Sequence, residues 1–282
     1  MWAVQRPDID TAETFDECAA LIRNANLRAR MQAIRPTILV LSADYDKKAQ
    51  SGQLHLIDSH EAGVNNVACA DLMKNYTLRM ARKGVPARAV YDALKILPKN
   101  NRCPLCGYGP VETLDHILPK RLYPGFSVKP TNLVGCCDRC NRLKSECAPT
   151  GPEDGFLHPY FENVNEAIWL VAEIVPSAPA AAMFQVDQPP NLDDQAIARV
   201  RAQFERLELA RLYSDAAADE IVDIQESLEA VFDAVGAEGV AEHLRRQCRS
   251  RRRANRNSWR AALYDALAAS EWYCEGGFRN AG

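Results

Sequence analysis

Long hydrophobic runs are missing from this chain. Thr37-Ile38-Leu39-Val40-Leu41 is a short core segment, far from the roughly 18 apolar residues a membrane span needs. A large charge of one sign is missing too. The formal net charge is −3, so no global field draws the protein to nucleic acid, and any such affinity must come from local clusters. Met1 to Asp10 carries Arg6, Pro7 and Asp8 and no apolar h-region, so no secretory signal is expected and the cytoplasm is the expected address. There is no P-loop, so any ATP dependence would have to come from a partner. A Ser-His-Asp or Cys-His nucleophile motif is also lacking, which argues against covalent hydrolase chemistry. Neither an internal repeat nor a low-complexity tract is present. At 282 residues the chain is long enough for one large or two ordinary domains with a buried core.

Cysteine, in contrast, is plentiful. Of ten cysteines, six (Cys103, Cys106, Cys136, Cys137, Cys140 and Cys147) fall within 45 residues. In a reducing compartment close pairs more often bind metal than form disulfides. Cys103-Pro104-Leu105-Cys106 and Cys137-Asp138-Arg139-Cys140 are two CxxC pairs with 30 residues between them. Each spacing lets a tight turn present two thiolates to one ion, and two such turns complete a closed tetrahedral zinc site with no open position for chemistry. Cys136 is an alternative to Cys137, less favoured because it breaks the CxxC spacing, and Cys147 is expected to be structural. Cys18, Cys69, Cys248 and Cys274 are expected to be buried core thiols.

The pattern predicts a mainly α protein with a small α+β insert, in three regions: 1–100, 101–161 and 162–282. Phe15, Cys18, Leu21 and Ile22 recur at helical spacing, as do Val90, Ala93, Leu94 and Leu97, while Thr37–Ser42 reads as extended. The middle region, rich in Pro, Gly and Cys, reads as short strands and loops around one helix. Trp169–Val175 and Ala182–Val186 look like a strand pair. Asp193-Asp194 then marks a helix start, followed by an apolar stripe of Ile197, Val200, Phe204, Leu207 and Leu212.

Between the knuckles lie Thr113-Leu114-Asp115-His116-Ile117-Leu118-Pro119-Lys120 and Thr131-Asn132-Leu133-Val134-Gly135; after the second knuckle comes Asn141-Arg142-Leu143-Lys144-Ser145. This run resembles the HNH family of nucleases, over about 45 residues, in the variant that zinc knuckles bracket. The resemblance implies a ββα-metal module, flanked here by helical N- and C-terminal regions. It also implies metal-dependent hydrolysis of phosphodiester bonds, with Asp115, His116, Asn132 and Asn141 as the catalytic set and Asn132 orienting the His116 ring. The residue types suit that chemistry. His116, the only histidine between the knuckles, can act as base near neutral pH. Asp115 and Asn141 offer oxygen ligands to magnesium, which keeps waters and phosphate oxygens for its other positions, with manganese as an alternative. The last family position is Asn rather than His, which favours magnesium over softer metals. The competing reading is a catalytically idle zinc-stabilised module that binds DNA or a protein.

Local charge favours a phosphate-binding surface. From Pro98 to Cys147 eight basic residues face four acids, and Lys120, Arg121, Arg139, Arg142 and Lys144 are the expected nucleic-acid contacts. Eight arginines also crowd Arg245–Arg260 with no acid among them. They read equally as a nucleic-acid track or as a helix face docked on acids such as Asp215, Glu220 and Glu229. His158, in Leu157-His158-Pro159-Tyr160-Phe161, is expected to be packed in the core. The order of parts is similar, more loosely, to bacterial HNH proteins that accompany ATPases in anti-phage defence, such as the nuclease subunit of Septu-type systems. That resemblance implies a DNA target and a partner ATPase. Because one HNH site cuts one strand, double-strand breaks would need a homo-oligomer.

Overall fold

A computed structural model describes residues 2–280. Asp10 opens the first helix, its carboxylate accepting the Glu13 amide and so satisfying one donor that a helix start leaves bare. Helix α1 (Thr11–Ala20) is followed by α2 (Ala25–Ala33), capped in the same way by Asn24, and by α3 (Arg35–Gln50). The expected extended stretch at Thr37–Ser42 therefore lies inside α3. Pro36 sits in its first turn, where a missing N–H costs nothing, and Ile38, Ser42, Tyr45 and Ala49 form the buried face while Val40 stays exposed. Burial at helical spacing outweighs the β propensity of a short apolar run.

A minimal hairpin, β1 (Gly63–Val64) with β2 (Val67–Ala68), leads into α4 (Cys69–Lys74), a π-helical turn over Asn75–Met80, and α5 (Arg88–Lys95). Then comes the insert. β3 (Thr113–His116) pairs antiparallel with β4 (Leu133–Cys136), from Thr113 opposite Cys136 to His116 opposite Leu133, and α6 (Asp138–Lys144) packs back on β3. The insert shares its core with the helices before it. Leu114, Val128 and Leu133 join Phe15, Ile22, Met31 and Ile38 in one apolar cluster, and Ile117, Phe126 and Val134 join Tyr45 and Ala49 in another. A module of some 60 residues buries only a marginal core by itself, and here the N-terminal helices extend that core. The result is one compact unit, Ala3–Asn163.

A second compact unit runs from Val164 onward. The expected strand pair forms as β5 (Leu170–Val175) with β6 (Ala181–Val186), antiparallel and in continuous register. Asp193 caps α7 (Asp194–Arg206) through the Ala196 amide, and Ile197, Val200, Phe204 and Leu207 are buried as the stripe requires, with Leu212 half-buried. Helices α8 (Leu209–Asp223), α9 (Gln225–Ala254, kinked at Gly236), α10 (Trp259–Ala269) and α11 (Glu271–Cys274) complete the unit. Among the described residues the protein is mainly helical, with three two-stranded antiparallel sheets, and no helix is long and apolar enough to cross a membrane.

The arginine run straddles the end of α9 and the start of α10, and acids of its own unit meet it. Glu242 lies 3.1 Å from Arg246 and 3.0 Å from Arg249; Asp265 is 2.6 Å from Arg252, and Glu220 is 2.7 Å from Arg260 and 3.5 Å from Arg251. Arg256 donates to the Glu166 carbonyl at 2.5 Å. Of the acids expected between Asp215 and Glu229, Glu220 takes part; Glu238, Glu242 and Asp265 are additional. Replacing Arg249, Arg252 and Arg256 together with Gln is therefore expected to lower the melting temperature by roughly 2–5 °C. Affinity for a short DNA duplex, measured at two salt concentrations, should stay within about twofold with an unchanged salt slope. A flattened slope with an unchanged melting curve would assign the run to a phosphate backbone instead.

Candidate functional site

The two knuckles converge. The Sγ atoms of Cys103, Cys106, Cys137 and Cys140 all lie within 4.8 Å of one another and are buried. Cys106 and Cys137 are 3.8 Å apart, close to the edge of about 3.8 Å that a tetrahedron of zinc–sulfur bonds near 2.3 Å requires. The first turn closes by Gly107 N donating to Cys103 O at 2.7 Å and Cys103 N donating to Gly109 O at 2.9 Å, with Gly107 at φ 66°. Gly109 is needed for a different reason: a Cβ there would stand 2.9 Å from Cys137 Cβ and 3.0 Å from its sulfur. In the second turn Cys137 Sγ accepts the Cys140 amide at 3.5 Å, capping α6. Hydrogen bonds from the neighbouring thiols, Cys103 first, pull Cys106 and Cys137 below the ordinary thiol range. A buried set of four sulfurs at this spacing is compatible with a structural zinc ion. Cys136 faces the core of β4, outside the cluster, and burial raises its thiol, which leaves Cys137 as the fourth member. Of the four scattered cysteines Cys18, Cys248 and Cys274 are buried, but Cys69 is only half-buried, its thiol reaching the Met73 sulfur and the Arg121 carbonyl.

Strand β3 leads from the four-cysteine cluster to His116. His116, at the end of β3, is 4% exposed, and its Nε2 lies 2.9 Å from the Ser127 carbonyl. A carbonyl only accepts, so Nε2 carries the proton and Nδ1 keeps its lone pair. Burial lowers the ring's pKa to about 3, so it is neutral at physiological pH. The Tyr76 ring packs edge-on at 4.5 Å, and its hydroxyl donates to the Leu114 carbonyl.

Asn132, expected to orient the His116 ring, makes its side-chain hydrogen bonds to other groups. Its Oδ1 accepts the Leu118 amide at 2.8 Å and the Tyr45 hydroxyl at 3.0 Å, while Nδ2 donates to the carbonyls of Leu118 and Phe126 at 3.1 and 3.2 Å. Asn132 thus staples the loop between the strands, and that loop holds Ser127 O against His116. Further contacts brace it. Ser127 Oγ donates to Leu72 O at 2.9 Å, His60 Nε2 accepts the Gly125 amide at 3.0 Å, and Tyr45 joins Asn132 to His158, which is fully buried as its apolar company predicts. Sequence reasoning missed Tyr45, Tyr76, His60 and Ser127. Ser127 acts through its backbone, for which no residue type is a signal.

Asp115 is buried. Oδ1 accepts the His116 amide at 2.8 Å, whereas Oδ2 has no aligned hydrogen bond and the Lys144 ammonium at 3.2 Å. Burial pushes its carboxyl pKa up, and Lys144 opposes that shift. Asn141 is half-buried on α6, the helix packed on β3, and its carboxamide makes no hydrogen bond with the described residues. Lys144 departs from its expected surface role: its ammonium is enclosed and donates to the His116 carbonyl at 2.5 Å. That charge is not offered to solvent. The remaining basic residues lie further out. Lys120 sits 5.4 Å over the Tyr76 ring, Arg121 pairs with Glu146 at 2.5 Å, Arg139 is half-buried, and Arg142 is exposed. One small ββα arrangement therefore carries a neutral imidazole and a carboxylate oxygen without an aligned donor on β3, and a half-buried carboxamide on the helix packed against that strand. It can accept a proton and offer hard oxygen ligands.

No family model matches the chain. The chain is similar to "Protein ea31" of Escherichia phage lambda, with 29% identity over 212 residues, covering 72% of this chain and 71% of the phage protein. No solved structure matches.

Proposed function

We propose that the chain is a metal-dependent endonuclease of the HNH type that hydrolyses phosphodiester bonds in DNA. The observation that supports it most is the hydrogen bond from His116 Nε2 to Ser127 O, which leaves the Nδ1 lone pair unprotonated at the end of the strand that also carries Asp115. In this reading His116 Nδ1 takes the proton of the attacking water, and the stapled loop keeps the ring from rotating. Asp115 Oδ2 and Asn141 Oδ1 would hold a hard divalent cation, magnesium or manganese. The buried, unaligned carboxylate oxygen and the unengaged carboxamide fit such an ion. When bound, it supplies positive charge for the phosphorane and the leaving oxygen. Lys120 and Arg142 would meet flanking phosphates, with Arg121 and Arg139 at the margin, a mode that reads backbone rather than base sequence. The zinc clamp fixes α6 and so the position of Asn141.

A second reading is favoured by one observation: Asp115 is already paired with Lys144, as suits a zinc-stabilised module that binds DNA or a protein without cutting. A plasmid-nicking assay with and without magnesium separates the two. The ATPase partner and a cytoplasmic role in anti-phage defence rest on the order of parts alone, and co-purification of an ATPase with the tagged chain from its native host tests that assignment.

A further inference from the structure

Lys144 is the polar group that the proposed mechanism leaves unused. Lysine is almost never fully buried unless paired, yet this ammonium is wholly enclosed. It touches the His116 carbonyl at 2.5 Å and Asp115 Oδ2 at 3.2 Å, with the Phe156 ring 5.7 Å away. Lys144 lies three residues after Asn141, so both side chains leave the same side of α6. The helix is fixed at its other end by Cys137 and Cys140. The ammonium therefore cannot swing away without abandoning the carbonyl of the proposed base, and it neutralises the one carboxylate among the proposed cation ligands.

We infer that Lys144 makes divalent-cation binding at Asp115 conditional on substrate, because the carboxylate is already neutralised and a cation is held tightly only when a phosphodiester adds its negative charge. This rests on the reading of Asp115 and Asn141 as cation ligands. The charges carry the argument. Asp115 and Lys144 sum to zero, so a bound divalent ion leaves the enclosed site at +2, and one phosphodiester lowers that to +1. Like charges close together in a low-dielectric interior repel strongly, so each anion that arrives tightens cation binding, and by linkage each cation tightens DNA binding equally. The device would keep the site empty of cation, and so idle, until a backbone is in place.

The test measures Mn²⁺ binding by electron paramagnetic resonance on the zinc-loaded full chain carrying His116→Ala, so that DNA persists. Binding is measured with and without a short duplex, subtracting the Mn²⁺ that the duplex holds alone. With Lys144 intact, the duplex should tighten Mn²⁺ binding about tenfold or more. Lys144→Met should bind Mn²⁺ about tenfold tighter without DNA, and its gain on adding DNA should shrink below about threefold. Equal free-state affinity and an equal gain in both proteins would overturn the inference. If Mn²⁺ binding is lost in Asp115→Asn, that overturn leaves the cation site standing; if Asp115→Asn changes nothing, the site itself fails and the inference with it. Lys144→Gln is the second variant, and zinc content with a melting curve reports folding. Loss of zinc and of the melting transition in both variants would assign Lys144 to folding and refute the conditional role.

Discussion

Replacing His116 with Ala is expected to lower DNA cleavage by about 100-fold or more, the usual contribution of a positioned general base. The effect should fall on the chemical step. Duplex affinity, which the proposed reading assigns to residues such as Lys120 and Arg142, should stay within about twofold. Some stability should also be lost, because His116 is buried against Tyr76 and satisfies the Ser127 carbonyl. A cavity and an unsatisfied acceptor together cost about 1–3 kcal/mol. Zinc content separates this moderate loss from collapse of the site, since the clamp does not involve His116. A variant that keeps its zinc and cuts at the wild-type rate would remove His116 from the mechanism.

Losing the clamp should do more damage than losing the base. Elemental analysis is expected to find about one zinc per chain, and Cys103→Ser or Cys140→Ser to abolish it. Structural zinc binding is worth about 10–16 kcal/mol in small knuckle modules, comparable to the 5–15 kcal/mol that holds a whole domain together. Because Leu114 and Leu133 of the insert lie in the same cluster as Phe15, Met31 and Ile38, the damage should spread to the N-terminal helices. Limited proteolysis should accordingly find new cuts in 11–50 as well as in 101–147. A zinc-free chain that remains protease-resistant there and retains activity would defeat the clamp.

What was legible in the sequence was local. The two CxxC spacings predict the four-sulfur cluster, Asp193-Asp194 predicts the start of α7, and the apolar segments Trp169–Val175 and Ala182–Val186 predict the β5–β6 pair. The segment at Thr37–Ser42 was misread because its apolar residues adjoin one another. The helical signal lies in Ile38, Ser42, Tyr45 and Ala49, two of them polar enough to be passed over. Residues around His116 were harder still. Asn132 was recognisable as important, but its partner Tyr45 lies 87 residues away in the chain and Tyr45's other partner, His158, 113 residues from Tyr45, and only the fold joins them. Lys144 looked like part of a basic surface because charge counts carry no direction. Its place on the inner side of α6 gives it the opposite role.

Cleavage itself is the most direct test of the central claim. The purified, zinc-loaded chain, freed of other divalent ions, would be given supercoiled plasmid with and without magnesium, beside its His116→Ala and Asp115→Asn variants. The account predicts magnesium-dependent nicking by the native chain and at least about a 100-fold loss in both variants, with zinc retained in all three. DNA binding without cleavage under any divalent ion, or nicking that survives both substitutions, would contradict it.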